Sequence, residues 1–584
     1  MTEIVEFSDA ADRRLALGAG GLLRTFNEAG VLTSGDVHVA TRVGRLAGES
    51  DERVLLAAAL ATRAVRQGSV GVDLRWVAGI AEGLPWPETD GWLTSIIDSP
   101  LLTRGVLRHE FDLLYLDRYW SQEEQLCRDL QVRLARTPPG VDTAALDAAL
   151  ERVFPGSTYA EQRLASRAAA TQGTTVLTGG PGTGKTTTVA GLLAVLAEQR
   201  ETAGLPQLRI ALTAPTGKAS ARLQEAVATA TRRLQAVDRA RLGELSAVTL
   251  HRLLGTRRDN GTRFLHHRGN RLPHDVVVVD ESSMVSLTMM TRLMEAVRPD
   301  SRLILVGDPD QLASVEAGAV LADLVAGLSG RPGSPVLHLA TTHRFGAGIA
   351  RLAAALRDGS SDGVLDVLRS GEEGVELVET DGPAPALRPG LVRAAVDLRA
   401  HAEAGRRDEA VAALDRHRLL CAHRDGPFGV QHWNRQVEHW LAEATGDPLH
   451  DRMYVGRPLL VTANDHGVGV YNGDAGVVVR GGDGPRTVIA GAHGLTDFAT
   501  SRMSDVETMF ATTIHKSQGG QTDEVTVLLP PPGSRLLTRE LFYTAVTRAM
   551  KKVRVVGTEE SVRAAVERRA LRASGLRRRL ATTC

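Results

Sequence analysis

The sequence has no excess of charge of either sign: 69 Lys and Arg balance 69 Asp and Glu over 584 residues. That balance excludes a protein that coats nucleic acid through bulk positive charge, and leaves room for a local basic channel. Aromatic residues are scarce, at 4%, so stacking on bases can involve few positions. Cysteine is scarcer still. Cys127, Cys421 and Cys584 lie far apart and form no C-x-x-C pair, which excludes a disulfide framework and a zinc or iron–sulfur ligand set. No uncharged apolar run approaches the roughly 20 residues of a membrane span. The acidic start Met1-Thr2-Glu3-Ile4-Val5-Glu6 lacks a signal-peptide pattern. The expectation is a cytoplasmic protein without a membrane segment. Its length is too great for one core and implies several domains.

What is present centres on Gly179-Gly180-Pro181-Gly182-Thr183-Gly184-Lys185-Thr186. These residues fit the phosphate-binding loop G-x-x-x-x-G-K-[ST] at every fixed position. The β-branched run Thr174–Thr178 before it reads as a buried parallel strand, and the Ala/Leu-rich run from Thr187 to Gln199 reads as a helix. A loop so placed offers free backbone N–H groups and the positive end of a helix to the phosphates of ATP. Lys185 would reach the β- and γ-phosphates and Thr186 would bind Mg²⁺, with Thr187 next to them. Upstream, Gln162 in Tyr159-Ala160-Glu161-Gln162 can donate to and accept from an adenine edge at once.

Four further strand-to-loop exits follow. Arg209–Thr213 leads into Ala214-Pro215-Thr216-Gly217-Lys218-Ala219. This is not a second phosphate loop, because the first glycine would fall at Leu212. Pro215, Thr216 and Lys218 are positioned to meet a nucleic-acid backbone, as are Thr249 and His251 in Val248-Thr249-Leu250-His251, although each stretch also reads as a structural turn. Residues 255–275, with Asp259-Asn260-Gly261 as a turn signal, read as a basic protruding hairpin or a solvated loop. Val276–Val279 is a strand buried on both faces that ends in Asp280-Glu281. Asp280 there would hold Mg²⁺ and Glu281 would polarise the attacking water. Arg302–Val306 ends in Gly307-Asp308-Pro309-Asp310-Gln311, placing Gln311 against the γ-phosphate. The exit Thr341-Thr342-His343-Arg344 offers Arg344 as a γ-phosphate cation.

Around this centre, residues 1–118 read as a helical domain holding Trp76, Trp86 and Trp92, with Trp120 just beyond, as core or as a docking surface. Residues 119–155 read as a helical connection. Residues 346–450 are mixed helix, with a loop from Gly371 to Pro389. Residues 451–509 read as a small β-barrel of short strands between Asn/Asp/Gly turns. From 510 the chain returns to sheet and helix. Thr512–Gln521 carries Thr513 and His515 as further strand contacts, and Leu541–Ala549 is a helix that brings Arg548. The arginines from Arg568 to Arg579 read as a solvated helix end.

In this order, Gln162, the phosphate loop, Ala214–Ala219, Asp280–Met284, Gly307–Gln311, Arg344, Thr512–Gln521 and Arg548 resemble the motif series of superfamily 1 helicases, spanning about 390 residues. The insert with Val461-Thr462-Ala463-Asn464-Asp465 and Asn472-Gly473-Asp474, and the long N-terminal region, resemble the RecD family within superfamily 1B. That family supplies the alpha subunit of exodeoxyribonuclease V, the RecBCD complex. The resemblance implies an α/β fold of two RecA-like P-loop NTPase domains, 156–345 and 346–450 with 510–584. A helical partner-docking domain over 1–118, a linker over 119–155, a strand-separating pin at 255–275 and an SH3-like insert at 451–509 would accompany them. It implies ATP-dependent 5′→3′ movement on single-stranded DNA from duplex ends, in a heterotrimer with RecB-like and RecC-like subunits, for double-strand break processing and recombinational repair. Arg344 and Arg548 would act as arginine fingers in cis. The alternatives are a stand-alone helicase on DNA or RNA and a regulatory P-loop subunit without catalysis. The nuclease activity of such a complex is expected on a partner subunit.

Overall fold

The computed structural model describes residues 12–136, 138, 141–257, 260–341, 346–465, 467–491 and 494–583. Helix α1 (Glu52–Arg66) lies at the centre of the N-terminal region. Its Val54, Leu56, Leu60 and a run of alanines are buried. Small residues let neighbouring helices approach closely around it. This region is not purely helical. Strands β1 (Gly71–Val72), β2 (Leu107–Glu110) and β3 (Leu113–Leu116) form an antiparallel sheet in the order β1-β3-β2. Trp92 is buried, Trp86 and Trp120 are half-buried, and Trp76 stands 77% exposed.

The stretch expected to be a connection is built into the body that follows. Helix α2 (Asp117–Leu134) contributes Leu126, Cys127 and Leu130 to the core that holds Val277, Leu303 and Leu305. Its buried Arg133 donates to Thr174 Oγ1 at 3.0 Å, Gly173 O at 3.0 Å and Ser301 O at 2.6 Å. Burial pushes that guanidinium down to about 10.

After helix α3 (Ala160–Thr171) come β4 (Thr174–Gly179), helix α4 (Lys185–Thr202), β5 (Ile210–Ala214), helix α5 (Gly217–Arg232) and β6 (Ala247–Thr249). A hairpin of β7 (Thr256–Arg257) and β8 (Asn260–Phe264) precedes β9 (Val276–Val279). Helix α6 (Leu287–Ala296), β10 (Arg302–Gly307), helix α7 (Val320–Leu328) and β11 (Val336–Leu339) complete the unit. Six strands form one sheet in the order β11-β4-β10-β9-β5-β6, every pair parallel. Both faces are covered, so β9 is four valines with none exposed. α4 is buried from Thr188 to Ala197, and Gly191 on it is required: a Cβ there would meet the Phe154 ring at 2.2 Å.

The expected loop from Gly371 to Pro389 is instead strand β12 (Val375–Glu379) and the first two turns of helix α8 (Pro383–Glu403). Pro383 sits in the first turn, where a missing N–H costs nothing. Behind the prolines, Leu387, Leu391, Ala395, Leu398 and Ala402 fall on one buried face. A second parallel sheet then forms from β12, β13 (His417–Cys421), β19 (Ala511–Thr513), β20 (Thr522–Leu528) and β21 (Ala549–Gly557), in the order β12-β21-β20-β13-β19. Between β13 and β19 the chain makes an antiparallel sheet of β14 (Pro458–Val461), β15 (Ala475–Gly481), β16 (Gly484–Gly491), β17 (Gly494–Ala499) and β18 (Val506–Thr508). It has its own small core around Leu459, Val478, Ile489 and Phe498.

Helix α9 (Arg539–Val546) precedes β21. Helix α10 (Leu576–Thr583) then leaves the second sheet altogether. The arginine-rich tail is therefore not a solvated helix end, nor part of the second body. Leu576 and Leu580 are buried, and α10 approaches α7 so closely that a Cβ on Gly327 would lie 2.9 Å from Leu580. Arg579 is 7% exposed, pairs with Glu110, and lies over the Phe111 and Trp120 rings. Buried Glu123 on α2 accepts from Ser574 Oγ at 2.7 Å and Gly575 N at 3.1 Å. Upstream on the same strap, Val70 N donates to Ala573 O, and Arg572 donates to Glu316 O. Among the described residues no helix is long and apolar enough to cross a membrane.

Candidate active site

The two parallel sheets face each other across a cleft of about 620 Å³. The first sheet supplies the loop between β4 and α4. Gly182 and Gly184 hold φ of +83° and +82°, which a side chain would strain, and Gly184 is the N-cap of α4. Lys185 Nζ donates to the carbonyls of Gly179 at 2.7 Å and Gly180 at 2.9 Å, so the ammonium lies over the loop. Thr183 Oγ1 donates to Gly180 O. Pro181, Thr186 and Thr187 line the same cleft.

Gln162 on α3 is 2% exposed. Its Nε2 donates to Thr183 O at 3.4 Å, and its Oε1 is buried with no partner. A buried orphan acceptor is costly unless a donor reaches it, and the exocyclic amine of adenine is such a donor. Glu161 next to it accepts from Ala340 N at 3.0 Å, Thr341 N at 3.1 Å and Thr341 Oγ1 at 2.8 Å. Those bonds, the Thr341 N–H first, hold its carboxyl below the ordinary range. Glu161 thus fixes the exit of β11. Arg344 lies just beyond that exit, outside the described residues.

Asp280 and Glu281 end β9 at the cleft floor. Asp280 Oδ1 accepts from Glu281 N at 2.9 Å. Burial, then the Glu281 charge, pushes the Asp280 carboxyl above the ordinary carboxylate range. Glu281 has φ of +49°, a rare conformation for a residue with a side chain. The Thr186 hydroxyl and Asp280 carboxylate are both hard oxygen donors, the set that suits Mg²⁺.

The loop after β10 is tied to the second body. Gln311 Nε2 donates to Asp308 Oδ2 at 3.0 Å, and the Tyr543 hydroxyl donates to the same oxygen at 3.0 Å. Burial, with Asp308 alongside, raises the Tyr543 pKa well above its usual value, so the phenol keeps its proton. Arg548 Nη2 donates to Gln311 Oε1 at 2.7 Å, while its other nitrogens donate to Gly520 O and Thr544 O at 3.2 Å each. Leu312 N donates to Thr544 Oγ1 at 2.9 Å, and Gln518 Nε2 donates to Leu312 O at 2.8 Å. The sequence therefore identified Gln311 and Arg548 but not their neighbours. Tyr543 and Thr544 stand five and four residues before Arg548, on a helix that ends at Val546 rather than running to Ala549 as expected, and that closeness in sequence was the available signal.

Three threonines expected to face a nucleic acid play one structural part. Thr216 Oγ1 accepts from Ala219 N at 3.2 Å, Thr249 Oγ1 from Arg252 N at 3.3 Å, and Thr513 Oγ1 from Lys516 N at 3.2 Å. Thr249 and Thr513 are the last residues of β6 and β19, and Thr216 lies two residues past the end of β5. Capping uses the oxygen lone pair and leaves the hydroxyl hydrogen able to donate outward. Pro215 is half-buried beside Thr216. His251 is exposed, 5.9 Å from the Phe264 ring at the foot of the β7–β8 hairpin, and His515 is half-buried with its pKa lowered chiefly by burial. The hairpin turn at Arg258-Asp259 lies outside the described residues. Lys218 does not stand with the threonines. It lines a small cavity in the seam between the two bodies, with Arg418, Gly520 and Arg548.

Comparison with known proteins divides the chain in the same way. An AAA domain model matches residues 162–317, a UvrD-like helicase C-terminal domain model matches 508–556, and a model described as RecBCD enzyme subunit RecD, N-terminal domain, matches 28–102. The chain is 62% identical to the RecBCD enzyme subunit RecD of Mycobacterium tuberculosis, over 98% of this chain and 99% of the relative. It is 60% identical to the protein of the same name from Mycolicibacterium smegmatis, over 96% and 99%. It is 28% identical to the ATP-dependent RecD2 DNA helicase of Deinococcus radiodurans, over 81% of this chain and 59% of that one.

Proposed function

The chain belongs to the RecD family, and from that premise we propose that it is the ATP-dependent DNA helicase motor of a RecBCD-type complex. It moves 5′→3′ on single-stranded DNA entered from a duplex end, beside RecB-like and RecC-like subunits, with the nuclease on a partner. The observation that carries this reading is the seam contact between Gln311 and Arg548 at 2.7 Å. It joins the loop after β10, which faces the phosphates, to the second body.

The roles follow from chemistry. ATP hydrolysis needs positioning and charge neutralisation more than covalent participation by the protein. Gln162 holds the adenine, the Gly179–Thr187 loop cradles the phosphates, and Lys185 leaves its loop carbonyls for the β- and γ-oxygens. Thr186 and Asp280 would hold Mg²⁺, which would supply charge neutralisation for phosphoryl transfer. Glu281 orients the water, and Gln311 reports the γ-phosphate to Arg548. Arg548 and Arg344 stabilise the charge that develops. Because Arg548 belongs to the second body, hydrolysis requires the two bodies to be closed together. Thr216, Thr249, His251, Thr513 and His515, with Pro215 shaping the first loop, grip the strand. Thr216 and Thr249 ride on one body and Thr513 on the other, so opening and closing changes the spacing of the grips.

On this reading the bodies carrying the two parallel sheets are RecA-like domains. Residues 451–509 are an SH3-like insert, the β7–β8 hairpin is the strand-separating pin, and the N-terminal region docks a partner. The test is ATP-dependent opening of duplexes with a 5′ or a 3′ single-stranded tail, by the chain alone and by its copurified complex. Opening of the 5′-tailed duplex alone is expected. Opening of the 3′-tailed duplex alone overturns the polarity, and no ATP-dependent opening by the complex overturns the motor reading.

A further inference from the structure

Lys218 is the second residue of α5, just past the loop that carries the strand-facing Thr216, yet its side chain is turned into the seam. It is half-buried, and its ammonium lies in the seam against Gly520: a Cβ on Gly520 would be 2.7 Å from Nζ and 2.9 Å from Cε. The cavity it lines is about 20 Å³, room for one water molecule, and is shared with Arg418 and Arg548. Arg418 is buried and occupied by the carbonyls of Met509 and Leu414. Burial, then Arg418, pushes the Lys218 ammonium down to about 8, the behaviour of an enclosed cation rather than of one in solvent.

The surroundings give that position a consequence. The same turns of α5 hold the 519–521 loop of the second body. Arg222 donates to Gly519 O at 3.2 Å and to Gln521 Oε1 at 2.8 Å, and Ala219 lies 3.2 Å from where a Gly519 Cβ would be. Gly520, between them, is buried, and its carbonyl accepts from Arg548 Nη1 at 3.2 Å. From Lys218 to Gly520 to Arg548 to Gln311 is thus one contiguous chain of contacts. It begins two residues after the strand-facing Thr216 and ends at the γ-phosphate side of the cleft.

We propose that Lys218 is a positioning residue that sets Arg548 through Gly520, and not a contact to the DNA backbone. This rests on the motor reading above. A shift of the β5–α5 loop when Thr216 takes hold of a phosphate moves Lys218 against Gly520, and the Gly520 carbonyl carries Arg548 with it. The coupling is steric at its first step and a hydrogen bond at its second, and no group other than these is needed.

The test uses the full chain, with Lys218→Met and the pair Gly520→Ala and Lys218→Ala, singly and together. Three quantities are read: kcat for ATP hydrolysis at saturating single-stranded DNA, DNA affinity against salt, and thermal melting. For Lys218→Met, kcat at saturating DNA is expected to fall roughly tenfold, as for a catalytic group displaced by a fraction of an ångström. The DNA affinity and its salt slope should match wild type. Gly520→Ala forces a Cβ onto the lysine tip and lowers both kcat and melting temperature, and Lys218→Ala in the same chain restores part of each. A salt slope flatter by roughly 0.7, the share of one lost phosphate contact on a single strand, with kcat at saturating DNA unchanged, overturns the proposal. So does strict additivity of the Gly520 and Lys218 effects. Should the wild-type chain show no DNA-stimulated hydrolysis alone, the same quantities are read on the copurified complex, where no stimulated hydrolysis overturns the motor reading. The melting cycle then still decides whether Lys218 and Gly520 are coupled.

Discussion

The two parallel sheets share one cleft but furnish it in different ways. The first delivers its groups at strand ends. The Gly179–Thr186 loop, Asp280-Glu281 and Asp308–Gln311 follow β4, β9 and β10, three neighbours whose relative positions are fixed by sheet register. The second sends a loop, 518–521, and two long side chains from α9 and its end, Tyr543 and Arg548, which cross the seam to reach Asp308 and Gln311. A site built wholly on one sheet would bind and hydrolyse with the same geometry at all times. Here the groups that hold nucleotide are fixed, and the groups that complete the site arrive with another body. The division separates binding from timing, which is what a motor needs and a simple hydrolase does not.

That contrast can be broken first at Arg548. Arg548→Ala should lower kcat for hydrolysis by ~10³, the lower end for an arginine finger, with nucleotide affinity nearly unchanged. Hydrolysis left intact would place the whole chemistry on the first sheet. Next, Lys185→Ala should cost about 10²–10³ in kcat and weaken nucleotide binding as well, since its donor meets both ground and transition states. Equilibrium binding of a fluorescent nucleotide separates these two variants. A smaller effect is expected for Tyr543→Phe. Removing one hydrogen bond to the buried Asp308 carboxylate costs about 1.5 kcal/mol, read as roughly tenfold in kcat without loss of nucleotide affinity. Unchanged kcat would show that the Tyr543 contact has no part in setting the Asp308–Gln311 loop.

The last effect leaves the cleft chemistry untouched: it is one of stability, concerns the strap that returns to the first body, and depends on pH. Asp323 on α7 has a buried Oδ2 without a partner, and burial pushes its carboxyl up to about 7 from an ordinary 3.8. A carboxyl whose folded pKa is raised keeps a proton that the unfolded chain releases. Its contribution to stability is therefore lost as pH rises from about 4 to about 7, and is level above. Asp323→Asn removes that slope. It should melt higher than wild type at pH 8, by a margin bounded at about 4 kcal/mol, and close to wild type at pH 4. Parallel pH profiles of the two proteins would assign the slope elsewhere.

The nucleotide side of the site was legible because each part is local. A strand, a glycine loop and a helix stand consecutively in the chain, and Val276–Val279 announces both its burial and the carboxylates that follow. The seam was only half legible. Arg548 and Gln311 carry motifs, but nothing local to Tyr543, Gln518 or Arg222 says that a partner 235 residues away in sequence accepts from the first of them. Elements concealed by composition were misread for a different reason. Prolines at 383 and 389 hid a helix whose apolar spacing runs on beneath them. The arginines of α10 outweighed Leu576 and Leu580, two residues that suffice to bury a two-turn helix when a glycine, Gly327, lets it close on its neighbour.

The strap also sets an order in time. α10 seats on α7 and α2, yet the ribosome makes it roughly 250 residues after α7, which at 5–20 residues per second is a delay of about 12–50 s. Throughout that interval the seats of Leu576 and Leu580 are open to solvent and Glu123 lacks Ser574, Gly575 and Arg579. A nascent chain in this state presents an apolar groove beside an uncompensated carboxylate, a surface that chaperones hold and aggregates exploit. A frameshift or nonsense change between Arg569 and Leu576 would leave both sheets and the whole cleft translated, and still yield a protein whose first-made region is never closed.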